Sequence, residues 1–392
     1  MNAMKRSSTP PTPDPRHIAH GREIPTESYS DQPYVVRTGD GAWLCCLTTG
    51  PGHEGAAGQH VVTLRSTDRG ESWSAPVAVE PDDDPRENSY AVMLAAPSGR
   101  IFIFYNHNTD NVREVRRHDG QGVFSRVDSL GHYVFKISDD HGRTWSRARY
   151  DIPVRAFQCD RDNVTGGALR FFWNVGRPLL LNGRVYVPLH KVGRMGRGFF
   201  AQSEGALLAS DNLLSVRDPA EARWETLPEG ECGLRAPPGG GPIAEEQSVC
   251  ALADGSLYCV YRTIAGYRAE CYSRDGGRIW TPPRYACFTD GRPMKHPRAA
   301  TFAWRCGNGR YLCWFHNHGG RFIGERDDAL ETAYEDRNPA WLCAGVEVDT
   351  PAGREIAWSE PEIVLYDDDP YVRMSYPDLI EEDGRTFITE TQ

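Results

Sequence analysis

Ser66-Thr67-Asp68-Arg69-Gly70-Glu71-Ser72-Trp73 returns as Ser138-Asp139-Asp140-His141-Gly142-Arg143-Thr144-Trp145 and again as Ser273-Arg274-Asp275-Gly276-Gly277-Arg278-Ile279-Trp280. Three copies of Ser-x-Asp-x-Gly-x-x-Trp in one chain describe a turn that recurs as a unit. Ser and Asp side chains cap their own backbone, Gly takes a conformation closed to other residues, and Trp plugs the turn into an apolar layer. Two looser copies follow, Ser210-Asp211-Asn212 leading to Trp224, and Trp358-Ser359-Glu360-Pro361. Trp73, Trp145, Trp224, Trp280 and Trp358 are separated by 72, 79, 56 and 78 residues, enough for four strands and a long loop per repeat. Strand pairs around polar turns fill the intervals: Tyr34 to Leu47 around Gly39-Asp40-Gly41, Ala91 to Tyr105 around Ser98-Gly99, and Val249 to Tyr261 around Asp254-Gly255.

The octapeptide resembles the Asp-box, the turn that joins the outer strands of β-propeller blades in sialidases and their relatives. That resemblance implies an all-β fold, a six-bladed β-propeller with seven blades as the alternative, forming a single domain over residues 21–392. A last blade would combine Ser375 to Thr389 with a strand from the N-terminal region, so that joining the termini removes the free sheet edges. The 39 glycines, 28 prolines and 10 tryptophans fit many short strands joined by turns. Residues 1–20, rich in Pro, Ser and Thr, read as a disordered lead-in without the apolar stretch of a secretory signal. The last residues, Arg385 to Gln392, read as mid-strand, so the natural chain is expected to continue.

The formal charge of −10 argues against nucleic acid or an anionic membrane as partner, and no segment has the run of about 20 apolar residues that spans a bilayer. Eleven cysteines without CxxC spacing read as buried free thiols, which with the absent signal makes a cytoplasmic location the expectation. No phosphate-binding glycine loop and no metal set is visible, so no cofactor is expected. His316-x-His318 supplies two ligands on one strand end and no more. The acidic runs Asp82-Asp83-Asp84 and Asp367-Asp368-Asp369 lack calcium-loop spacing and read as solvated loops.

The resemblance reaches chemistry in three stretches. Glu245-Glu246-Gln247, a hairpin, Arg262 and the third Asp-box follow one another as Glu-x-Gln, hairpin, Arg and Asp-box do in sialidases. Glu245 therefore resembles their catalytic Glu, and Arg262 one of their three substrate-binding arginines. Ser375-Tyr376-Pro377-Asp378-Leu379 is similar to the segment that carries their nucleophilic Tyr, which implies that role for Tyr376. Arg337, in Arg337-Asn338-Pro339, matches a second arginine. Arg298, in Lys295-His296-Pro297-Arg298, adds positive charge at the expected rim.

Such a set has a chemical reason. A neutral Tyr approaches an anomeric centre that carries a carboxylate, where an anionic nucleophile is repelled, and gives its proton to an adjacent Glu. Guanidinium forks bind carboxylates through paired charge-assisted hydrogen bonds and favour a nearby phenolate.

Two places depart from the family pattern. Where sialidases have an aromatic-Arg-Ile-Pro segment, this chain reads Tyr29-Ser30-Asp31-Gln32-Pro33-Tyr34, with Asp31 in place of the first arginine. Asp31 repels a carboxylate but suits a hydroxyl or acid–base work, and Gln32 beside it is a candidate for binding substrate. The stretch Thr48 to His60, where the general-acid Asp would stand, contains none; Glu54 and His60, on a glycine-rich loop expected to be mobile, are the candidate proton donors.

The resemblance thus implies an exo-acting, retaining glycoside hydrolase that removes a terminal acidic sugar from a glycan. Sialic acid, another ulosonic acid, a uronic acid, or a neutral deoxy sugar linked to one are the candidates. A uronate-specific polysaccharide lyase using Tyr376 or His60 as base, or a carbohydrate-binding propeller without catalysis, are the alternatives.

Overall fold

The computed structural model describes residues 14–81, 83–197, 199–319 and 337–392. The all-β expectation holds, in antiparallel sheets that follow one another along the chain. Tyr29–Arg37, Trp43–Gly50, His60–Ser66 and Val77–Ala78 form the first; Asn88–Ala95, Ile101–His107, His132–Ser138 and Tyr150–Asp151 the second. In the third, Phe172–Trp173, Arg184–Met195, Phe200–Ser210 and Glu225–Leu227 are joined by Leu179–Leu181. Glu245–Ala251, Leu257–Arg262, Ala269–Ser273 and Arg284–Tyr285 make the fourth. The fifth has Phe302–Arg305, Tyr311–Phe315, Ala340–Thr350 and Gly353–Trp358, with Glu362–Leu365 beside them. Ser375–Glu382 pairs with Arg385–Thr391 as a two-stranded sheet.

The strand expected from the N-terminal region does not join this last hairpin, because Tyr29–Arg37 heads the first sheet instead. The ring closes through side chains. Asp378 accepts from the Val35 N–H at 2.8 Å, Thr391 Oγ1 from the Gln32 N–H at 3.2 Å, and Thr389 Oγ1 donates to the Pro33 carbonyl at 2.5 Å. Within the expected lead-in, residues 14–20 are ordered: His17 bridges Tyr366 and a short 3-10 turn spans Ile18–His20, while residues 1–13 lie outside the described residues.

The three Ser-x-Asp-x-Gly-x-x-Trp turns do the mechanical work that their residues imply. Ser66, Ser138 and Ser273 hydroxyls accept from the N–H of Gly70, Gly142 and Gly277 at 2.8, 2.8 and 2.9 Å. The Asp68, Asp140 and Asp275 carboxylates accept from the N–H of Ser72, Thr144 and Ile279 at 2.9, 2.9 and 3.0 Å. Each Trp then packs on the preceding sheet. Trp73 lies in a cluster with Ile380 and Phe387, Trp145 donates to Thr63 Oγ1 at 3.1 Å, and Trp280 joins Leu207 and Leu227. The looser copies behave alike: Trp224 meets Phe104 and Phe135 with ring centroids 6.0 Å apart, and Trp358 meets Tyr258 at 5.9 Å. One turn motif thereby both closes a hairpin and pins neighbouring sheets.

Gly142 has φ +77°, and a Cβ there would stand 2.3 Å from Leu44 Cδ2 of the first sheet. Gly142→Ala is expected to destabilise by about 2–4 kcal/mol, combining left-handed strain with overpacking. Gly99→Ala, at φ +90° with nothing within 4 Å, should cost only the strain, about 1 kcal/mol. Denaturant midpoints of the two variants separate these effects, and equal losses would contradict the packing role of the second repeated turn.

Candidate functional site

Four first strands carry the same irregularity. Pairing slips between Asp31 and Tyr34, Ser89 and Val92, Glu245 and Ser248, and Ser375 and Asp378. Inside each slip one non-glycine residue has left-handed backbone: Gln32 (φ 60°), Tyr90 (φ 59°), Glu246 (φ 60°) and Tyr376 (φ 45°). Such strain costs of order 1–3 kcal/mol and persists where the surroundings impose it; a bulge re-aims a side chain that regular alternation would point elsewhere. All four side chains are buried.

The bulge decides which glutamate meets the tyrosine. Tyr376 Oη donates to Glu246 Oε1 at 2.9 Å, so the partner expected to be Glu245 is its neighbour. Glu245 serves the arginines: Oε2 accepts from Arg262 Nε at 2.9 Å, and Oε1 from Arg298 Nη2 at 2.7 Å. Arg262 also places Nη1 2.8 Å from Glu246 Oε1, bridging both carboxylates. Arg298, expected at the rim, is fully buried and additionally donates to the Phe200 carbonyl at 2.9 Å. Arg337 is buried and donates from Nη1 to Ser375 Oγ, next to the tyrosine.

Charge and burial set the protonation states. Burial holds the Glu246 carboxyl above its ordinary value against the pull of Arg262, with Glu245 adding to the rise. For Glu245 burial acts the same way, but Arg298 and Arg262 outweigh it and hold the carboxyl well below the ordinary range. Burial and then Glu246 push the Tyr376 phenol well above its ordinary value, with Arg262 opposing. The preformed phenolate that the sequence suggested is therefore not favoured.

Asp31 lies in the same field. Its carboxyl is pushed well above the ordinary value by burial first, then by Glu54 and Glu246, while Tyr29 and Arg337 pull it down. Tyr29 Oη donates to Asp31 Oδ2 at 3.2 Å, and Oδ1 has no hydrogen-bond partner among the described residues. Gln32, fully buried, likewise leaves both amide atoms without a partner, as Glu246 leaves Oε2.

Beside Asp31 stands a group that sequence reasoning missed. Tyr90, in a Ser-Tyr bulge like that of Tyr376, donates to Asp128 Oδ2. Arg126 Nη2 lies 2.7 Å from Asp128 Oδ2, 2.6 Å from Glu54 Oε1 and 3.0 Å from Tyr90 Oη. The Arg126 guanidinium sits 4.9 Å over Trp173, whose ring stacks on Tyr90 at 3.9 Å. His190 Nδ1 accepts from the Glu246 N–H at 3.2 Å. The loop expected to be mobile is docked here: the Gly55 carbonyl accepts from the Val127 N–H, its own N–H donates to Gln59 Oε1 at 2.8 Å, and a Cβ at this position would stand 2.6 Å from Arg126 Cγ. Glu54 thus belongs to the cluster. His60 does not join it, being engaged with the Gly58 carbonyl and 3.3 Å from Glu27.

Other expectations shift in detail. Asp84, expected to be solvated, is held by Arg86 and Arg149, and with Glu80 and His107 forms a group whose ligand atoms lie within 4.8 Å of one another. Lys136 and Arg149 already compensate its charge. His316 is fully buried, stacked on His296 at 5.7 Å.

The sequence profile of the BNR repeat-like domain family matches residues 125–388. No curated protein sequence matches the chain. Among solved structures, the leech intramolecular trans-sialidase complexed with 2,7-anhydro-Neu5Ac superposes with a TM-score of 0.60 at 15% identity, over 92% of this chain and 64% of that one. The intramolecular trans-sialidase of Ruminococcus gnavus gives 0.61 at 16% over 96% and 94%, and the NanB sialidase of Streptococcus pneumoniae 0.59 at 14% over 92% and 65%. The chain thus spans just under two thirds of the leech and streptococcal proteins. These likenesses establish a sialidase-like fold.

Proposed function

From a chain that belongs to the BNR repeat-like domain family, we propose an exo-acting glycoside hydrolase that works through Tyr376 and Glu246 with retention at the anomeric carbon. The observation that carries this reading is the 2.9 Å hydrogen bond between the buried Tyr376 hydroxyl and the buried Glu246 carboxylate, with Arg262 2.8 Å from the same oxygen. In this arrangement Tyr376 Oη attacks the anomeric carbon, the bond to the leaving oxygen breaks, and the phenolic proton passes to Glu246. Water then releases the sugar by the reverse path. Arg262 keeps Glu246 oriented and stabilises its charge before the proton arrives. Glu54, tied to Arg126 and partly exposed, is the proposed donor to the leaving oxygen.

Burial raises Glu246. The rate should therefore fall on acidification at a pH above the ordinary glutamate value of about 4.3, because the base must be ionised when Tyr376 gives up its proton. A kcat profile with its acid limb at or below that value would contradict the assignment. The reading as a whole is tested by incubating wild type with neutral and acidic oligosaccharides and following released sugar and ultraviolet absorbance. Released sugar of retained configuration supports it. An absorbing, unsaturated product overturns it in favour of elimination.

A further inference from the structure

The resemblance raises an acidic sugar, yet three guanidiniums of the cluster, those of Arg262, Arg298 and Arg126, are paired with the protein's own acids. Arg262 gives Nε and Nη2 to Glu245 and faces Glu246 with Nη1. Arg298 gives Nε and Nη2 to Glu245. Arg126 meets Glu54 and Asp128. Arg337 donates to Ser375 Oγ and, with Arg262 on Glu246, lowers the carboxyls of Asp31 and Glu246. Four guanidiniums thus face five carboxyl groups, one of which, Asp31, is disfavoured as an anion by burial and by Glu54. An incoming carboxylate finds no excess of positive charge, and forming a clamp on Arg262 requires displacing a buried ion pair.

The unpartnered atoms describe a different ligand. Asp31 Oδ1, Gln32 Oε1 and Nε2, and Glu246 Oε2 are all buried without a hydrogen-bond partner; Arg262 Nη1 also makes no hydrogen bond, but it is ion-paired with Glu246 Oε1 at 2.8 Å. They belong to the bulges of two first strands, and Asp31, Glu246 and Tyr376 act on one another electrostatically. Buried polar atoms are normally satisfied, so a ligand is their natural complement. Acceptors mixed with an amide donor suit vicinal hydroxyls, each of which both donates and accepts.

We propose that Asp31 is a specificity-determining residue that excludes an anionic group from the reacting sugar, so that the sugar cleaved is neutral and presents hydroxyls to Asp31, Gln32 and Glu246. Cleavage rests on the hydrolase reading, but the exclusion itself is a property of binding. An acidic residue elsewhere in the glycan, beyond the reacting sugar, is compatible with it.

The test measures binding of N-acetylneuraminate and of glucuronate to wild type, Asp31→Asn and Asp31→Arg by ligand-observed NMR and calorimetry. Thermal melts accompany each variant to show that it is folded. Asp31→Asn removes the ionisable carboxyl, and so any charge it would take beside a bound anion, without added bulk, which keeps the test available if Asp31→Arg does not fold. Wild type is expected to bind the two anions weakest, and the variants to bind at least one of them on the order of 10- to 100-fold more tightly. Equal binding of the anions by wild type and the folded variants, at any affinity or none, overturns the proposal, as does wild-type turnover of an aryl sialoside or glucuronide. Turnover of neutral aryl glycosides that disappears in Tyr376→Phe supports the hydrolase reading; its absence with the anion contrast intact removes that reading and leaves the exclusion standing.

Discussion

Tyr376→Phe should abolish turnover, lowering kcat on the order of 10³- to 10⁶-fold while leaving the fold and saccharide binding nearly unchanged. The substitution deletes one oxygen whose recorded contact is Glu246 Oε1 at 2.9 Å, and the ring keeps its place in the central apolar cluster. Losing a nucleophile splits kcat from binding, whereas losing a packing residue moves both together with the melting temperature. Glu246→Gln should cost less, because the phenol retains a hydrogen-bond acceptor, and it should erase the acid limb of the rate profile. Substantial kcat remaining in Tyr376→Phe would show that the tyrosine only shapes the pocket.

Glu245→Ala carries the second large effect, and it falls on stability. Its carboxylate is fully buried between Arg262 and Arg298. Removing it leaves two buried guanidiniums short of a counter-charge, which costs about 3–5 kcal/mol, several times the value of an exposed ion pair. Arg262 would keep Glu246 as partner, so the lower end of that range applies if the pair tightens. Protonation should act in the same direction. Glu245 is held below its unfolded value, so its contribution is present above the ordinary carboxylate range and is lost as pH falls through the folded value. Asp31 has the opposite sign: its folded value is raised, so its contribution is present at low pH and lost as pH rises through that value. Urea denaturation of wild type, Glu245→Ala and Asp31→Asn across pH separates the two. A Glu245→Ala midpoint equal to wild type would contradict the buried-anchor role.

The parts of the fold that were legible are the ones coded locally. The repeated turn is capped by its own side chains, and Ser138, Asp140, Gly142 and Trp145 announce the turn, its cap and its plug in eight residues. The site is another matter. Glu245 and Glu246 are indistinguishable by motif, and alternation along a regular strand assigns one to each face. The left-handed residue in the bulge moves the phase by one, so the tyrosine partner came out as the wrong neighbour. The repeated Ser-Tyr at Ser89-Tyr90 and Ser375-Tyr376 was the available signal for Tyr90 and for the bulge itself. Arg126 and Asp128 had none, since they sit between strands of the second sheet, outside the repeated turn. Arg298 reads as a rim cation because nothing in Lys295-His296-Pro297-Arg298 shows that Glu245, 53 residues upstream, lies 2.7 Å away.

Mass spectrometry of the protein after incubation with a series of neutral, fluorinated glycosyl fluorides that stall on a covalent intermediate tests the Tyr376–Glu246 pair most directly. One added glycosyl group on the peptide that carries Tyr376, formed by wild type and not by Tyr376→Phe, is the predicted result. An adduct on any other residue, or turnover of the matching glycosides without an adduct, would contradict it.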